Sequence, residues 1–306
     1  MKSWIDLGMF ENPYRDPAES KAVGEELAQT REDSKTEFNQ KSVVLMKNSE
    51  DVLPMVDTSK TIYVQKFTGD GDDTDDTVAD ELTAMGYTVV DDYNEADVAI
   101  LMVTPLALAN GADHLQVLDL VEDVEVEELY TDNSFSATQQ NEVDEEAMSL
   151  AGTKTGDTIP WTNVVDLEDI WEISETVRAN GGTVIGTINI SSPWILTNLE
   201  PYCDALLGTF DTSDQAIADV ISGEYNPTGK LPVTMVSCDK VIAVNEETLE
   251  DGNTYEVCVS PNDVPGYDKE QYMDADVLAQ SPSGSYAYQD TDGNFYWSGF
   301  GLSYDA

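Results

Sequence analysis

Read from its second quarter onward, the chain alternates short apolar runs with amphipathic stretches. TIYVQKF (61–67) is rich in β-branched and aromatic residues and predicts a buried strand. TVADELTAMG follows, with Val78, Leu82 and Met85 on one helical face and Gly86 as its stop. YTVVDDY and ADVAILMVT come next; the second is a continuous apolar run, as expected of a parallel strand covered on both faces. DLEDIWEISETVRANGG aligns Ile170, Ile173 and Val177 on one side and closes at Gly181 and Gly182. TVIGTINI predicts a strand, PWILTNLEPYC a short helix entered through Pro193, and DALLGTF another strand. TSDQAIADVISG predicts a helix with Thr212 and Gln215 in capping-box spacing and Ile217, Val220 and Ile221 facing inward. Upstream, residues 18–47 read as one helix in which Phe38, Ser42 and Leu45 form a buried stripe.

This order of short strands and helices predicts an α/β fold: a doubly wound, mostly parallel sheet sandwiched by helices. Two regions break the rhythm. Residues 105–166 form a long, polar, weakly periodic excursion, and segments of that length tend to hold function. Residues 237–306 are aromatic and rich in Gly and Pro, with hairpin signals at TDGNFYWSGFG. They predict an irregular β tail packed over the sheet, without an independent second core.

Composition adds one large fact. Asp and Glu number 61 against 14 Lys and Arg, for a formal net charge of -47 over 306 residues. Such a surface repels phosphate backbones and anionic membranes, which argues against nucleic-acid and membrane partners. It suits high salt, where self-repulsion is screened. The acidic run GDGDDTDDT (69–77) lacks the closing Glu of a calcium loop and reads as a solvated loop leading into a helix. Three scattered cysteines (203, 238, 258) suit neither a disulfide scaffold nor a zinc site. Neither a metal nor a cofactor is expected. The first residues show no apolar leader core, so the chain as it stands reads as cytoplasmic, or extracellular if it is a fragment of a secreted enzyme.

Four segments then resemble motifs of glycoside hydrolase family 3, in the family's order. KSVVLMKNSEDVLP (41–54) is similar to its S-x-V-L-L-K-N-x-x-x-x-L-P, and INISSPWIL (188–196) to its strand-to-helix turn. GEYNPTGKLPVT (223–234) resembles G-x-x-x-P-S/T-G-K/R-L-P, and WSGFGLSY (297–304) the family's aromatic-G-x-G-L-S-Y ending. DVPGY (263–267) fits one branch. The resemblance covers the second, sandwich domain alone. Residues 1–17, with LGMFENPY, look like the linker that leaves the family's barrel domain, and 18–306 like the sandwich.

A retaining β-glycosidase needs two carboxyl groups about 5 Å apart, a nucleophile and an acid/base. The resemblance implies that the nucleophile belongs to the barrel, and that an acid/base can come from the region before the helix at 167–180. No G-E-x-x-D-R-like motif occurs there. Asp157 is the best-placed acid, with Glu146 behind it. His114, Lys154 and Trp161 are the expected sugar contacts, Trp161 as a stacking platform beside Pro160. Each has a plainer alternative as an exposed or packing side chain. Trp171 and Trp194 read as core, and Gly223, Pro227 and Gly229 as turn chemistry. The resemblance thus implies a β-glucosidase-type sandwich acting on carbohydrate with a barrel-domain polypeptide, or assembling as a homo-oligomer. The alternative is a non-catalytic carbohydrate-binding or interaction module derived from such an enzyme.

Overall fold

A computed structural model describes residues 17–69, 78–106, 120, 124–125, 160–161, 163–238, 241, 244–248, 254–258, 270, 273 and 275–304. Side chains of residues 32–33 and of the short strands at 124–125, 160–161, 244–248 and 254–258 lie outside this description.

The main sheet comprises β1 (Val44–Asn48), β2 (Thr61–Thr68), β3 (Thr88–Val89), β4 (Val98–Thr104), β7 (Thr183–Asn189) and β8 (Ala205–Thr209). Its spatial order is β1-β8-β7-β4-β2-β3. Every pairing is parallel except β1 with β8, so β1 is an antiparallel edge. The helices are α1 (Pro17–Ser42), α2 (Val78–Ala84), α3 (Leu167–Ala179), α4 (Asp214–Ser222) and a single turn, α5 (Ala275–Leu278). Two-stranded pairs form from β5 (Val124–Glu125) with β6 (Pro160–Trp161), and from β9 (Val244–Thr248) with β10 (Thr254–Cys258).

The continuous apolar run of β4 explains why both faces are covered. Ala99, Leu101 and Val103 join one buried cluster, and Val98, Ile100 and Met102 the other. Alternate residues of a strand point to opposite faces, so a strand buried on both must be apolar throughout. On the first face lie α3, through Leu167, Ile170, Ile173 and Val177, and the tail, through Tyr288 and Tyr296. On the second lie α2, through Val78 and Leu82, and α4, through Ile217, Val220 and Ile221. This is the expected α/β sandwich. The tail adds a hairpin and isolated bridges, with a small satellite cluster around Val236, Met273, Val277 and Tyr286.

Four expectations are corrected. The helix expected over 18–47 ends at Ser42, and Val44–Asn48 is a strand. Val43 and Leu45 enter one core while Val44 and Met46 enter the other, a period-2 burial that only pairing with β8 provides. Phe38, expected in a buried stripe, is 69% exposed. Residues 193–199 do not form a helix, and only a 3-10 turn appears at Glu200–Tyr202. Trp194 and Leu196 fill the first core while Ile195 fills the satellite cluster, and three consecutive buried side chains leave a helix no polar face. The capping box is not made. Ser213 occupies the N-cap, Thr212 Oγ1 accepts from Phe210 N at 3.1 Å, and Gln215 Nε2 donates to Asp219 Oδ1 at 2.7 Å.

Candidate active site at the carboxyl edge of the sheet

From β2 the chain steps outward through α2 to β3, then back across β2 to β4, and onward through α3 to β7. The direction of winding therefore reverses between β2 and β4. Open α/β sheets bind ligands in the crevice outside the carboxyl ends of strands at such a point. Here that crevice is where the segment between β4 and α3 begins and ends.

Its root is pinned. Leu106 N donates to Asn163 O at 2.9 Å, and Val165 N donates to Thr68 O at 2.8 Å, tying the segment's two ends to the ends of β4 and β2. Gly69, directly after β2, permits this approach: a Cβ there would stand 2.9 Å from Asn163 O. Asn163 is fully buried. A second anchor lies farther along. Leu120 is fully buried in the first core, and its carbonyl accepts from Asn198 Nδ2 at 2.8 Å. The Asn198 carbonyl accepts from Trp171 Nε1 at 3.3 Å. Within the segment, β5 pairs with β6, setting Val124 opposite Trp161.

Along the chain, the five sequence candidates fall between Leu106 and Asn163. His114, Glu146, Lys154 and Asp157 lie outside the described residues, and Trp161 is described in its backbone only. Trp194 is core as expected, its Nε1 donating to Asn189 O at 3.0 Å, and Trp171 packs against Tyr202.

On the same edge, next to the root, β7 and β8 end in a reciprocal pair. Asn189 Nδ2 donates to Asp211 Oδ1 at 2.8 Å and Asp211 N donates to Asn189 Oδ1 at 3.0 Å. Asp211 holds a left-handed backbone (φ 49°), a conformation that a non-glycine residue keeps only when its surroundings fix it.

At the opposite, amino edge is a buried ionic cluster that sequence reasoning missed. Lys47 Nζ meets Glu200 Oε1 at 2.6 Å, with both side chains almost wholly buried. Lys47 Nζ also donates to Thr291 Oγ1 at 2.7 Å. Glu200 accepts from Thr291 N, Thr291 Oγ1 and Tyr288 OH. Burial, and then the Glu200 carboxylate, pushes the Tyr288 phenol far above its ordinary range. Burial likewise raises the neighbouring Cys203 thiol to about 12, so it stays protonated at neutral pH. A carboxylate so fully engaged and sealed from solvent has no access to a glycosidic oxygen. This cluster holds the tail against the sheet.

The motif segments also converge on structure. Gly229 packs so tightly that a Cβ would stand 2.2 Å from Val43 O, and a Cβ on Gly301 would stand 2.4 Å from Gly229 O. Leu231 N donates to Phe300 O at 2.8 Å, Leu302 N to Leu45 O at 2.7 Å, and Tyr304 N to Asn226 Oδ1 at 2.9 Å. Thus 41–54, 223–234 and 297–304 interlock around β1; Gly223 holds the left-handed turn expected of it, whereas Gly229 has no left-handed backbone and serves close packing instead.

A doubly wound sheet covered on both faces, with a long segment rooted at its switch point, defines an α/β sandwich domain. Residues 43–304 match the family model of the glycosyl hydrolase family 3 C-terminal domain, and the chain belongs to that family. A periplasmic beta-glucosidase of Salmonella typhimurium is 26% identical over 322 aligned positions, spanning 98% of this chain and 38% of that protein. A beta-glucosidase from Listeria innocua, solved in complex with glucose, is 19% identical with a TM-score of 0.48, over 98% of this chain and 37% of that one. Beta-glucosidase 3B from Thermotoga neapolitana, solved in complex with glycerol, is 16% identical with a TM-score of 0.41, over 66% and 30%. The chain therefore spans well under half the length of the relatives it matches.

Proposed function

We propose that this chain is the sandwich part of a β-glucosidase-type glycosidase. The barrel that bears the nucleophile would come from a partner polypeptide or a longer parent chain, with residues 1–17 as the linker between the two. The observation that carries this reading is the pinned root. The segment bearing Asp157, Glu146, His114 and Lys154 leaves and returns at the carboxyl ends of β4 and β2, where α/β sheets place ligands. In this reading Asp157 is the acid/base, with Glu146 as the second choice. His114, Lys154 and Trp161 line the sugar site, and a carboxylate of the barrel attacks the anomeric carbon.

The chemistry divides accordingly. With one carboxyl of the pair on each domain, the isolated chain is expected to show negligible hydrolysis of aryl β-glucosides. Turnover that survives rigorous purification and disappears in Asp157→Asn would place a complete site on this chain and overturn the division.

The deciding experiment is the intact native mass of the protein from its source, with identification of whatever co-purifies. A companion bearing a family 3 barrel supports the proposal. A lone chain of 33.5 kDa favours a non-catalytic carbohydrate-binding or interaction module, the reading to which the missing G-E-x-x-D-R-like motif already points.

A further inference from the structure

Helix α1 is 26 residues long, roughly 39 Å at about 1.5 Å per residue, and its side chains from residue 17 through 31 are all exposed. Its last turns reach the body of the domain. There Gln40 Nε2 donates to Asp219 Oδ2 at 2.7 Å, Asn39 Oδ1 accepts from Ser213 N at 3.1 Å, and Ser42 Oγ meets Thr212 Oγ1 at 2.9 Å. A helix in a protein draws most of its stability from packing of one face. The large exposed apolar side chains of α1 lie in one stripe. Val23 is 48% exposed, Leu27 63% and Phe38 69%, and at about 100° per residue the three fall within roughly 60° of one another. From Val23 to Phe38 the stripe runs about 22 Å. At its far end Arg31, Lys35, Phe38, Asn39 and Phe210 wall an open depression of about 400 Å³.

The chain itself carries a segment of matching length and chemistry. Residues 1–16 lie outside the described residues and lead directly to Pro17, the first residue of α1. Within them, WIDLGMF (4–10) sets Ile5, Leu7 and Met9 in alternation with Asp6 and Gly8, the pattern of an extended stretch with one apolar face. Six steps of extended chain cover about 20 Å at roughly 3.3 Å each, close to the length of the stripe. Between this run and the helix stand Asn12-Pro13 and Asp16-Pro17, two turn-initiating pairs, and proline suits the first position of a helix. Charge does not oppose a contact between the two. Residues 1–16 hold three acids and two cations, and α1 holds six acids and four cations, so both are nearly neutral on a chain of net charge -47. A short tether also presents the segment to the helix at about millimolar effective concentration.

We propose that the apolar face of α1 is covered by the chain's own first residues. Residues 11–16 reverse the chain, and 4–10 lie extended along the stripe of Val23, Leu27 and Phe38, with Phe10 near Val23 and Trp4 in the depression. Ile5, Leu7 and Met9 face the helix. Trp4 meets the rings of Phe38 and Phe210 and the cations of Arg31 and Lys35, groups that attract an aromatic ring. Because Phe210 directly follows β8, the strap brings the first residues to the carboxyl edge of the sheet. A second copy is the poorer occupant, since two whole chains of this net charge repel each other and the tethered segment is nearly neutral. The strap uses only residues of this chain, so it stands or falls apart from the barrel-dependent reading.

The test places a photo-cross-linker in the full chain as Phe38→p-benzoylphenylalanine, with Val56→p-benzoylphenylalanine as control; Val56 is 75% exposed and off α1. Light is applied to a mixture of heavy-isotope-labelled and unlabelled chains. The expected product joins position 38 to a peptide within residues 1–10, both halves carrying the same label, and the control gives none. Ile5→Asp with Leu7→Asp should speed amide hydrogen exchange across residues 18–31 at least tenfold while the melting temperature of the domain stays unchanged. A product of mixed label, or one that joins position 38 to α1 of a second copy or to another polypeptide, overturns the proposal. So does the absence of any product at position 38, and so does exchange over 18–31 that is equal in parent and variant.

Discussion

Glu200 and Asp290 are both buried acids, and their partners give them opposite consequences. Glu200 has a lysine, two hydroxyls and a backbone N–H. Removing the cation leaves a buried charge uncompensated, which costs about 3–5 kcal/mol. Lys47→Met should therefore lower the melting temperature sharply, and Lys47→Met with Glu200→Gln should recover part of the loss. Recovery would be absent if the pair contributed nothing. Asp290 accepts from Asn294 N at 2.7 Å and Nδ2 at 3.1 Å but faces no cation among the described residues. Burial raises its pKa, and the Glu200 charge adds to the shift. The folded state then holds the proton more tightly than the unfolded state, so stability falls as pH rises from the unfolded pKa through the folded one. Asp290→Asn should abolish that component. The melting temperature of the variant minus that of the parent should grow more positive as pH rises from about 4 toward neutrality and stay flat above the raised pKa. A difference that does not change with pH would show that Asp290 ionises as freely in the folded chain as in the unfolded one.

At the scale of elements, the family motifs are joints. Gly229, Gly301 and β1 fit backbone to backbone, and Gly223 ends α4 in a left-handed turn (φ 86°) against Pro54. Gly229→Ala puts a methyl group within 2.2 Å of the Val43 carbonyl, an overlap with rigid backbone. Overpacking of this kind costs about 1–3 kcal/mol, so the variant should melt several degrees lower while keeping its far-UV spectrum. An unchanged melting temperature would mean that the joint is looser than its geometry implies. The strands and helices of the sandwich were legible in the sequence because their apolar spacing matches their burial, as in β4, α3 and α4. The edge strand β1 was not. VVLM reads equally as the end of a helix, and only the antiparallel register with β8 assigns its side chains to two faces. Likewise PWIL is apolar enough for a helix, yet its residues serve two different clusters. The roles of Lys47 and Glu200 were illegible for another reason. They stand 153 residues apart, and in a chain with 61 acids nothing local marks one as buried.

For the molecule as a whole, charge sets the conditions of folding. Self-repulsion among so many carboxylates opposes compaction and is screened as the Debye length shrinks from about 10 Å at 0.1 M salt to about 3 Å at 1 M. The melting temperature should rise by several degrees over that range. Paired runs in potassium chloride and potassium glutamate would separate screening from any effect of one anion, and a curve flat in both salts would remove the argument for a saline origin.

The sequence by itself determined the layers, the parallel sheet, the C-terminal β tail and the family, because periodic apolar spacing and backbone-demanding glycines are local properties that each stretch carries alone. Only the tertiary structure decided that Val44–Asn48 is a strand, that Glu200 is neutralised by Lys47, that the segment after β4 is rooted at the switch point, and that Phe38 faces outward. Each of these depends on contacts between residues far apart in the chain, where burial and pairing outweigh local preference.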